Sequence, residues 1–263
     1  NLRHALEKIK SPRILVIGDL MLDHYSWGEV DRISPEAPIP VMRVLREDQR
    51  LGGAGNVVMN LAALGAEVSV CGVTGKDEAG DIINKLLTEN KVDRSGVIIS
   101  KNHKSCLKHR MIAGQTHLLR MDIDPDPYTD FPQNQLIEYL KERVPKCDAV
   151  IVSDYGKGLL SSSILRELAL CGKKHGIPIL GDPKSTKDYS IYQDFTLLKP
   201  NRKETEAAVG FSLKNRNDIL RAAEKLKEEV RLDYLVISLD QDGLLLFQSP
   251  DDYHFFEAQT QEV

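Results

Sequence analysis

The chain has no block of five or more basic residues, no CxxC cysteine pair, no HxH or HExxH histidine pair and no apolar run long enough to cross a membrane. Each absence removes a class of function. With 35 Lys+Arg against 39 Asp+Glu, a net charge of −4 and a pI near 6.0, nucleic acid is disfavoured as a partner. An anionic substrate would need local positive charge set against that acidic average. The four cysteines, Cys71, Cys106, Cys147 and Cys171, lie far apart and are expected as free thiols in a reducing cytoplasm. The seven histidines lack the spacing of common zinc motifs, which disfavours a zinc site. Without an apolar span or a signal-peptide pattern, no membrane role is expected, and the cytoplasm is the expected location. What remains is ordinary for a globular enzyme. In 263 residues, 41% hydrophobic and 28% charged, there is room for one large α/β domain or two small ones.

Apolar runs alternate with helical patterns along the chain. Expected strands are Ile14–Ile17, Glu67–Gly72, Val97–Ser100, Ala149–Ser153, Pro178–Gly181, Thr196–Leu198, Leu235–Ser238 and Leu244–Phe247. Expected helices are Val57–Leu64, Glu78–Glu89, Gln133–Arg143, Ser162–Lys174, Lys203–Val209 and Asp218–Glu229. Such alternation predicts a doubly wound α/β fold with a mainly parallel sheet and helices on both faces. Ala149-Val150-Ile151-Val152 is apolar throughout, as in strands covered on both sides. Tyr25–Leu45 and Cys106–Asp122 lack helix partners and alternate polar with apolar residues. They are read together as a small β-lid, with lid segments of about 22–46 and 104–122. Pro125–Phe131 reads as the loop back to the main domain. Phe255–Val263 has strand character with no helix after it, so a further βα part is expected outside this sequence.

The densest signal is Gly52-Gly53-Ala54-Gly55-Asn56, directly before an apolar helical run. Glycines let backbone approach a ligand closely, and the helix start offers free N–H groups. The strand at Ile14 ends in Gly18-Asp19, with Asp23 following, carboxylates suited to sugar hydroxyls. Other strands end in Asp154-Tyr155-Gly156-Lys157-Gly158, Asp182-Pro183-Lys184, Lys199-Pro200-Asn201 and Ser238. Ligands of doubly wound sheets bind at these ends. Lys157 and Lys184 are candidate phosphate contacts. Asn201 and Glu204 have the spacing of a capping box, or of a carboxylate that holds water around Mg²⁺; spacing alone leaves both open. Arg110 and Arg120 lie in the lid, where an arginine would clamp a phosphate. The solvent-facing role is expected of Arg110 rather than Arg120, whose neighbours are apolar. Gly72-Val73-Thr74-Gly75-Lys76-Asp77 lacks the spacer and hydroxyl of a Walker loop. Gly52–Val57 follows Gln49-Arg50-Leu51, read as outside a strand, and so misses a dinucleotide fingerprint.

These residues resemble the ribokinase-like (PfkB) carbohydrate kinases over nearly the whole chain. The resemblance rests on the glycine stretch with Leu61-Ala62-Ala63-Leu64-Gly65, on Gly18–Asp23 and on Arg32-Ile33-Ser34-Pro35-Glu36-Ala37-Pro38. It also rests on Leu119-Arg120-Met121-Asp122 and Ser153–Gly158. Within the family these strings are most similar to kinases of heptose 7-phosphate. The resemblance implies transfer of phosphate from ATP to the C1 hydroxyl of that sugar, with Mg²⁺, for ADP-heptose and lipopolysaccharide core synthesis. It implies sugar contacts at Asp19, Asp23, Gly52, Gly53 and Asn56, and Arg120 and Lys157 near the substrate and its phosphates. It implies nucleotide contacts at Lys184, Asn201, Arg202, Lys203, Glu204, Ser238 and Gly243, with Glu204 reaching the metal through water. A homodimer joined through the lid is also implied, with Tyr25 and Trp27 either in that interface or capping their own core.

Two departures stand out. The family's T-x-G-x-x-G loop is here Ser238-Leu239-Asp240-Gln241-Asp242-Gly243, with Asp240 at the middle glycine. The Gly-Ala-Gly-Asp signature, whose Asp is the general base, is absent from residues 1–263 and is expected beyond Val263. The residues leave room for a kinase of another sugar or sugar phosphate, or for a non-catalytic sugar-phosphate-binding protein. A nicotinamide dehydrogenase would need a glycine fingerprint after Ile17, where Gly18-Asp19-Leu20-Met21 stands instead.

Overall fold

Leu15, Val16 and Ile17 are all fully buried because their strand runs through the middle of a large sheet with helices on both sides. The computed structural model describes residues 11–125 and 131–258. Most of the expected Pro125–Phe131 loop, and residues 259–263 of the C-terminal segment, lie outside the described residues.

The nine-stranded sheet has the order β13-β12-β11-β10-β9-β8-β1-β4-β5. Its strands are β1 (Arg13–Gly18), β4 (Glu67–Gly75), β5 (Asp93–Ser100), β8 (Ala149–Ser153), β9 (Ile179–Asp182), β10 (Leu197–Leu198), β11 (Tyr234–Ser238), β12 (Leu244–Ser249) and β13 (Asp252–Phe256). Pairing is parallel from β5 to β11, and β12 and β13 add an antiparallel edge. Helices α1 (Ala54–Ala63) and α2 (Glu78–Glu89) cover one face, where Val58, Ile83 and Leu87 pack with Val16. Helices α3 (Gln133–Arg143), α4 (Ser162–His175), α5 (Arg202–Val209) and α6 (Arg216–Val230) cover the other, where Leu140, Leu168, Val209 and Leu226 pack with Leu15 and Ile17. Alternate residues of β1 thus enter opposite cores, which is the period-2 rule of a strand covered on both sides. No helix among the described residues is long and apolar enough to cross a membrane.

A second, four-stranded sheet of order β3-β2-β6-β7 forms the lid, from β2 (Leu20–Ile33), β3 (Pro40–Gly53), β6 (Cys106–Ala113) and β7 (Thr116–Ile123). Its first hairpin is longer than the sequence suggests. Leu20 pairs with Gly53 and Asp23 with Arg50, so β3 continues past Arg46 into the glycine stretch. The expectation that Gln49-Arg50-Leu51 lies outside a strand is therefore wrong. Arg46, Asp48 and Arg50 put charge on one face and Glu47 and Gln49 put polar groups on the other, so no apolar stripe marks the strand. The Ser34–Pro38 string is the exposed tip of this hairpin, closed by Ser34 N–H donating to the Ile39 carbonyl at 2.9 Å.

Candidate functional site

The chain leaves β1 in one direction for β4 and β5, and later builds β8 to β11 on the other side. The crevice at the C-terminal ends of β1 and β8 is thus the switch point at which open α/β sheets bind ligands. Asp19 is the first residue beyond β1 and is only 1% exposed. Its Oδ2 accepts the N–H groups of Tyr155 (2.9 Å) and Lys157 (3.2 Å) from the loop after β8. Its Oδ1 is buried with no hydrogen-bond partner. Burial pushes the Asp19 carboxyl up to about 6, against the opposing pull of the Lys157 and Tyr155 amides. A buried acceptor left open at a switch point is suited to a ligand hydroxyl.

The glycines follow from this crowding. A Cβ at Gly53 would lie 2.4 Å from the Asp19 carbonyl, and its φ of 57° is one glycine tolerates. The Ala54 N–H donates to that carbonyl at 3.0 Å, which fixes the start of α1 beside Asp19. Asn56 is exposed in the first turn of α1. Asp23 lies on the lid face that also carries Tyr25 and Trp27, and Arg110 meets it at 2.5 Å.

The two lid arginines are arranged in the reverse of the sequence expectation. They are direct partners across β6 and β7. The Arg110 side chain is 20% exposed, held on Asp23 and lying 5.1 Å over the Tyr25 ring. The Arg120 side chain is 57% exposed and pairs with Asp122 at 2.9 Å. Arg110 is on the inner strand β6 and Arg120 on the edge strand β7, a difference with no signature in the local sequence. Tyr25 and Trp27 stack at 5.3 Å, and Arg46 covers Trp27 at 4.0 Å; neither aromatic joins a core cluster.

Lys157 contributes its amide to Asp19, and its Nζ pairs with Asp124 at 2.6 Å, just beyond β7. That contact holds the Asp124 carboxyl below its ordinary range. Asp124 and Tyr155 were not singled out from sequence. The Tyr155 hydroxyl is pushed up by burial and then by the charges of Asp182, Asp23 and Asp19.

A cavity of about 410 Å³ adjoins this centre, lined by residues including Asp154, Asp182, Lys184, Asn201, Glu204 and Ser238. Lys184 reaches toward Asp154 at 3.9 Å. Both halves of the capping box are present: Glu204 N–H donates to Asn201 Oδ1 at 2.9 Å, and Asn201 N–H to Glu204 Oε2 at 2.8 Å. The Glu204 carboxyl is nevertheless raised, by burial first and by the Asp182 charge as well. Capping occupies one carboxylate oxygen, and the donors lining the cavity are hard oxygens, a set that fits Mg²⁺ with its retained waters. Arg202 lines a neighbouring cavity, also about 410 Å³, and pairs with Asp242 at 2.6 Å. Lys203 is exposed and lines neither cavity. Gly243 has φ 91°, and a Cβ there would strike the Phe256 carbonyl. Asp240, where T-x-G-x-x-G has its middle glycine, adopts φ 54°, in the left-handed region natural to glycine.

A family model described as pfkB family carbohydrate kinase matches residues 11–263. The bifunctional protein HldE of Campylobacter curvus is 42% identical over 254 residues, covering 97% of this chain and 53% of the relative. HldE of Desulfatibacillum aliphaticivorans is also 42% identical, covering 96% of this chain and 52% of its own. The chain thus spans about half the length of the curated relatives it matches. Among solved structures, Arabidopsis thaliana ribokinase with ribose and ATP superposes with TM-score 0.74 at 17% identity, over 95% of this chain and 78% of that one. Escherichia coli phosphofructokinase-2 with fructose-6-phosphate gives TM-score 0.76 at 20% identity, over 95% and 82%. At such identities these two likenesses speak for the fold.

Proposed function

Because the chain belongs to the pfkB family of carbohydrate kinases, we propose that it transfers phosphate from ATP to the C1 hydroxyl of D-glycero-β-D-manno-heptose 7-phosphate. The product would be the 1,7-bisphosphate that serves ADP-heptose and lipopolysaccharide core synthesis. The observation that carries this reading is the open, buried Oδ1 of Asp19 at the switch point, an acceptor for a sugar hydroxyl, with the Asp23–Arg110 pair on the lid strands that rise from it offering a cation for a sugar phosphate. The roughly 42% identity to HldE proteins over nearly all of this chain supports the heptose assignment.

In this account Asp19 and Asp23 hold sugar hydroxyls, while Gly52, Gly53 and Asn56 form the wall at the start of α1. Arg110 takes the sugar phosphate, with Arg120 further out on the same ladder. Lys157 orders the loop over Asp19 and brings charge to the reacting end. Lys184, Asn201, Arg202, Lys203, Glu204, Ser238 and Gly243 form the nucleotide side. Phosphoryl transfer needs mainly alignment and neutralisation of charge, which fits a site of lysines, arginines and backbone amides. Mg²⁺, where bound, would neutralise phosphate charge, with Glu204 holding its water. A Gly-Ala-Gly-Asp signature, which would supply the proton acceptor, does not occur in residues 1–263. In domain terms, we read the chain as one ribokinase-like kinase domain with the lid inserted. The exposed Leu119, Met121 and Ile123 on the lid face opposite Asp23 support a homodimer joined there, and the buried free cysteines support a cytoplasmic setting.

The test is ADP release by the intact protein with Mg-ATP and heptose 7-phosphate, fructose 6-phosphate or ribose. Preference for heptose 7-phosphate supports the reading. Turnover on another sugar keeps the kinase and discards the heptose. No turnover on any sugar favours a sugar-phosphate-binding protein.

A further inference from the structure

The lid face turned away from Asp23 holds a cluster that the kinase reading does not use. His24 on β2 and His109 on β6 are direct partners in the parallel ladder. Their rings stack at 4.1 Å with only 3° between the planes. Glu47 on β3 brings Oε1 to 3.3 Å from His24 Nε2. Ser26, which is buried, donates its hydroxyl proton to Glu47 Oε1 at 3.0 Å, and its oxygen lies 2.7 Å from His109 Nε2. His24 Nε2 is buried and makes no hydrogen bond. One ligand atom from each of His24, Glu47 and His109 lies within 4.8 Å of the others.

We propose that His24, Glu47 and His109 form a binding site for one divalent transition-metal ion of the zinc class. Two imidazoles and a carboxylate match zinc, whereas magnesium and calcium prefer all-oxygen sets. Zinc bonds of about 2.0–2.1 Å at tetrahedral angles place ligand atoms about 3.3 Å apart. The His24–Glu47 separation already has that value. The His109 ring reaches it by side-chain rotation out of the stack, since its strand is already in register with β2. The His24 nitrogen, which makes no hydrogen bond and only approaches Glu47, then gains a ligand bond, and Ser26 remains to orient Glu47, as groups behind metal ligands commonly do. Three protein ligands leave the fourth position to water on the side where Glu47 is exposed. His24 also lines a cavity of about 390 Å³ between the lid and α2, which gives an ion a way in.

The site bears on the lid as a whole. An ion there would tie β2, β3 and β6 together at the rungs beside Asp23 and Arg110. The sequence could not show it, because its ligands come from three strands with no short spacing. The proposal rests on the lid geometry alone and stands whether or not the sugar assignment does.

The experiment is zinc titration of the intact, chelator-treated protein against a chromogenic chelator, with Co²⁺ absorption as a second readout. One equivalent of zinc per chain is expected, together with a cobalt spectrum of reduced coordination number. His24→Ala and His109→Ala should each weaken binding by more than about tenfold, the scale on which even outer partners of a metal count. His117→Ala, at an exposed lid position, should leave it unchanged. Glu47→Gln keeps the side-chain shape and should also weaken binding, which guards against misfolding of the alanine variants. Zinc should raise the melting temperature of the parent protein and not that of Glu47→Gln. Binding that survives His24→Ala with His109→Ala, or no zinc retained at micromolar free metal, would overturn the site.

Discussion

Asp23 and Gly52 meet so closely at the base of the lid that a Cβ on Gly52 would lie 2.3 Å from Asp23 Oδ2. The first glycine of the Gly52–Asn56 stretch thus makes room for a carboxylate, and that carboxylate holds Arg110. Gly52→Ala must displace Asp23 or shift β3, at a cost of about 1–3 kcal/mol. The expected result is a raised KM for the sugar phosphate with ATP affinity nearly unchanged, measured by initial rates and nucleotide titration. Equal losses for both substrates would place the damage in the fold rather than the sugar side.

Arg110 and Arg120 separate by their surroundings. Arg110→Ala leaves Asp23 without its partner and removes the half-buried cation, so kcat/KM for the sugar phosphate should fall by at least about tenfold, or 1.4 kcal/mol. Arg120→Ala removes an exposed pair of the kind worth about 0–1 kcal/mol and should change kcat/KM by less than about fivefold. Steady-state kinetics of both variants decide the order, and a larger loss for Arg120→Ala would reverse it.

Asp19 sets a pH dependence of definite sign. Its carboxyl rises from 3.8 to about 6 in the folded protein because burial penalises the charge. The stability this confers is full below about pH 3.8 and is lost as pH rises through about 6. Asp19→Asn stays neutral, so it should gain on the parent protein by up to roughly 3 kcal/mol across that window. Melting temperatures of the two proteins, compared across the window, give the difference directly; a difference independent of pH would contradict the assignment. The ionised carboxylate is the better acceptor for hydroxyls, so kcat/KM for the sugar should also fall below about pH 6.

Asp240 holds φ 54° where the family pattern has glycine. Asp240→Gly should relieve about 1 kcal/mol of left-handed strain, worth roughly 2–4 °C in melting temperature for a chain of this size. ATP affinity should change little, since the backbone at Asp240 already lies in the left-handed region that a glycine there would favour. A calorimetric scan and a nucleotide titration check both; a lower melting temperature would show that Asp240 earns its place through its side chain.

Much of the fold was legible because its central strands are apolar on both sides and its helices carry a regular stripe. The helices expected at Glu78–Glu89 and Gln133–Arg143 coincide with the observed ones at both ends. Asp77 capping Gly80 N–H explains the sharp start of the first. The lower half of β3 was missed because Arg46 to Arg50 present polar groups on both faces. Asp19 and Asp23 could be singled out from sequence because they follow a clear strand. The contrast between Arg110 and Arg120 could not be, since the two are opposite each other on one ladder and differ in lying on an inner and an edge strand. The His24–Glu47–His109 cluster was hidden for a related reason: three strands bring together residues that no spacing connects.

The most direct test of the central claim is ³¹P NMR of the product formed by the intact protein from Mg-ATP and heptose 7-phosphate. The account predicts a second phosphate resonance coupled to the anomeric proton while the 7-phosphate signal persists. A new phosphate on any other carbon, or consumption of ATP without a sugar bisphosphate, would contradict it.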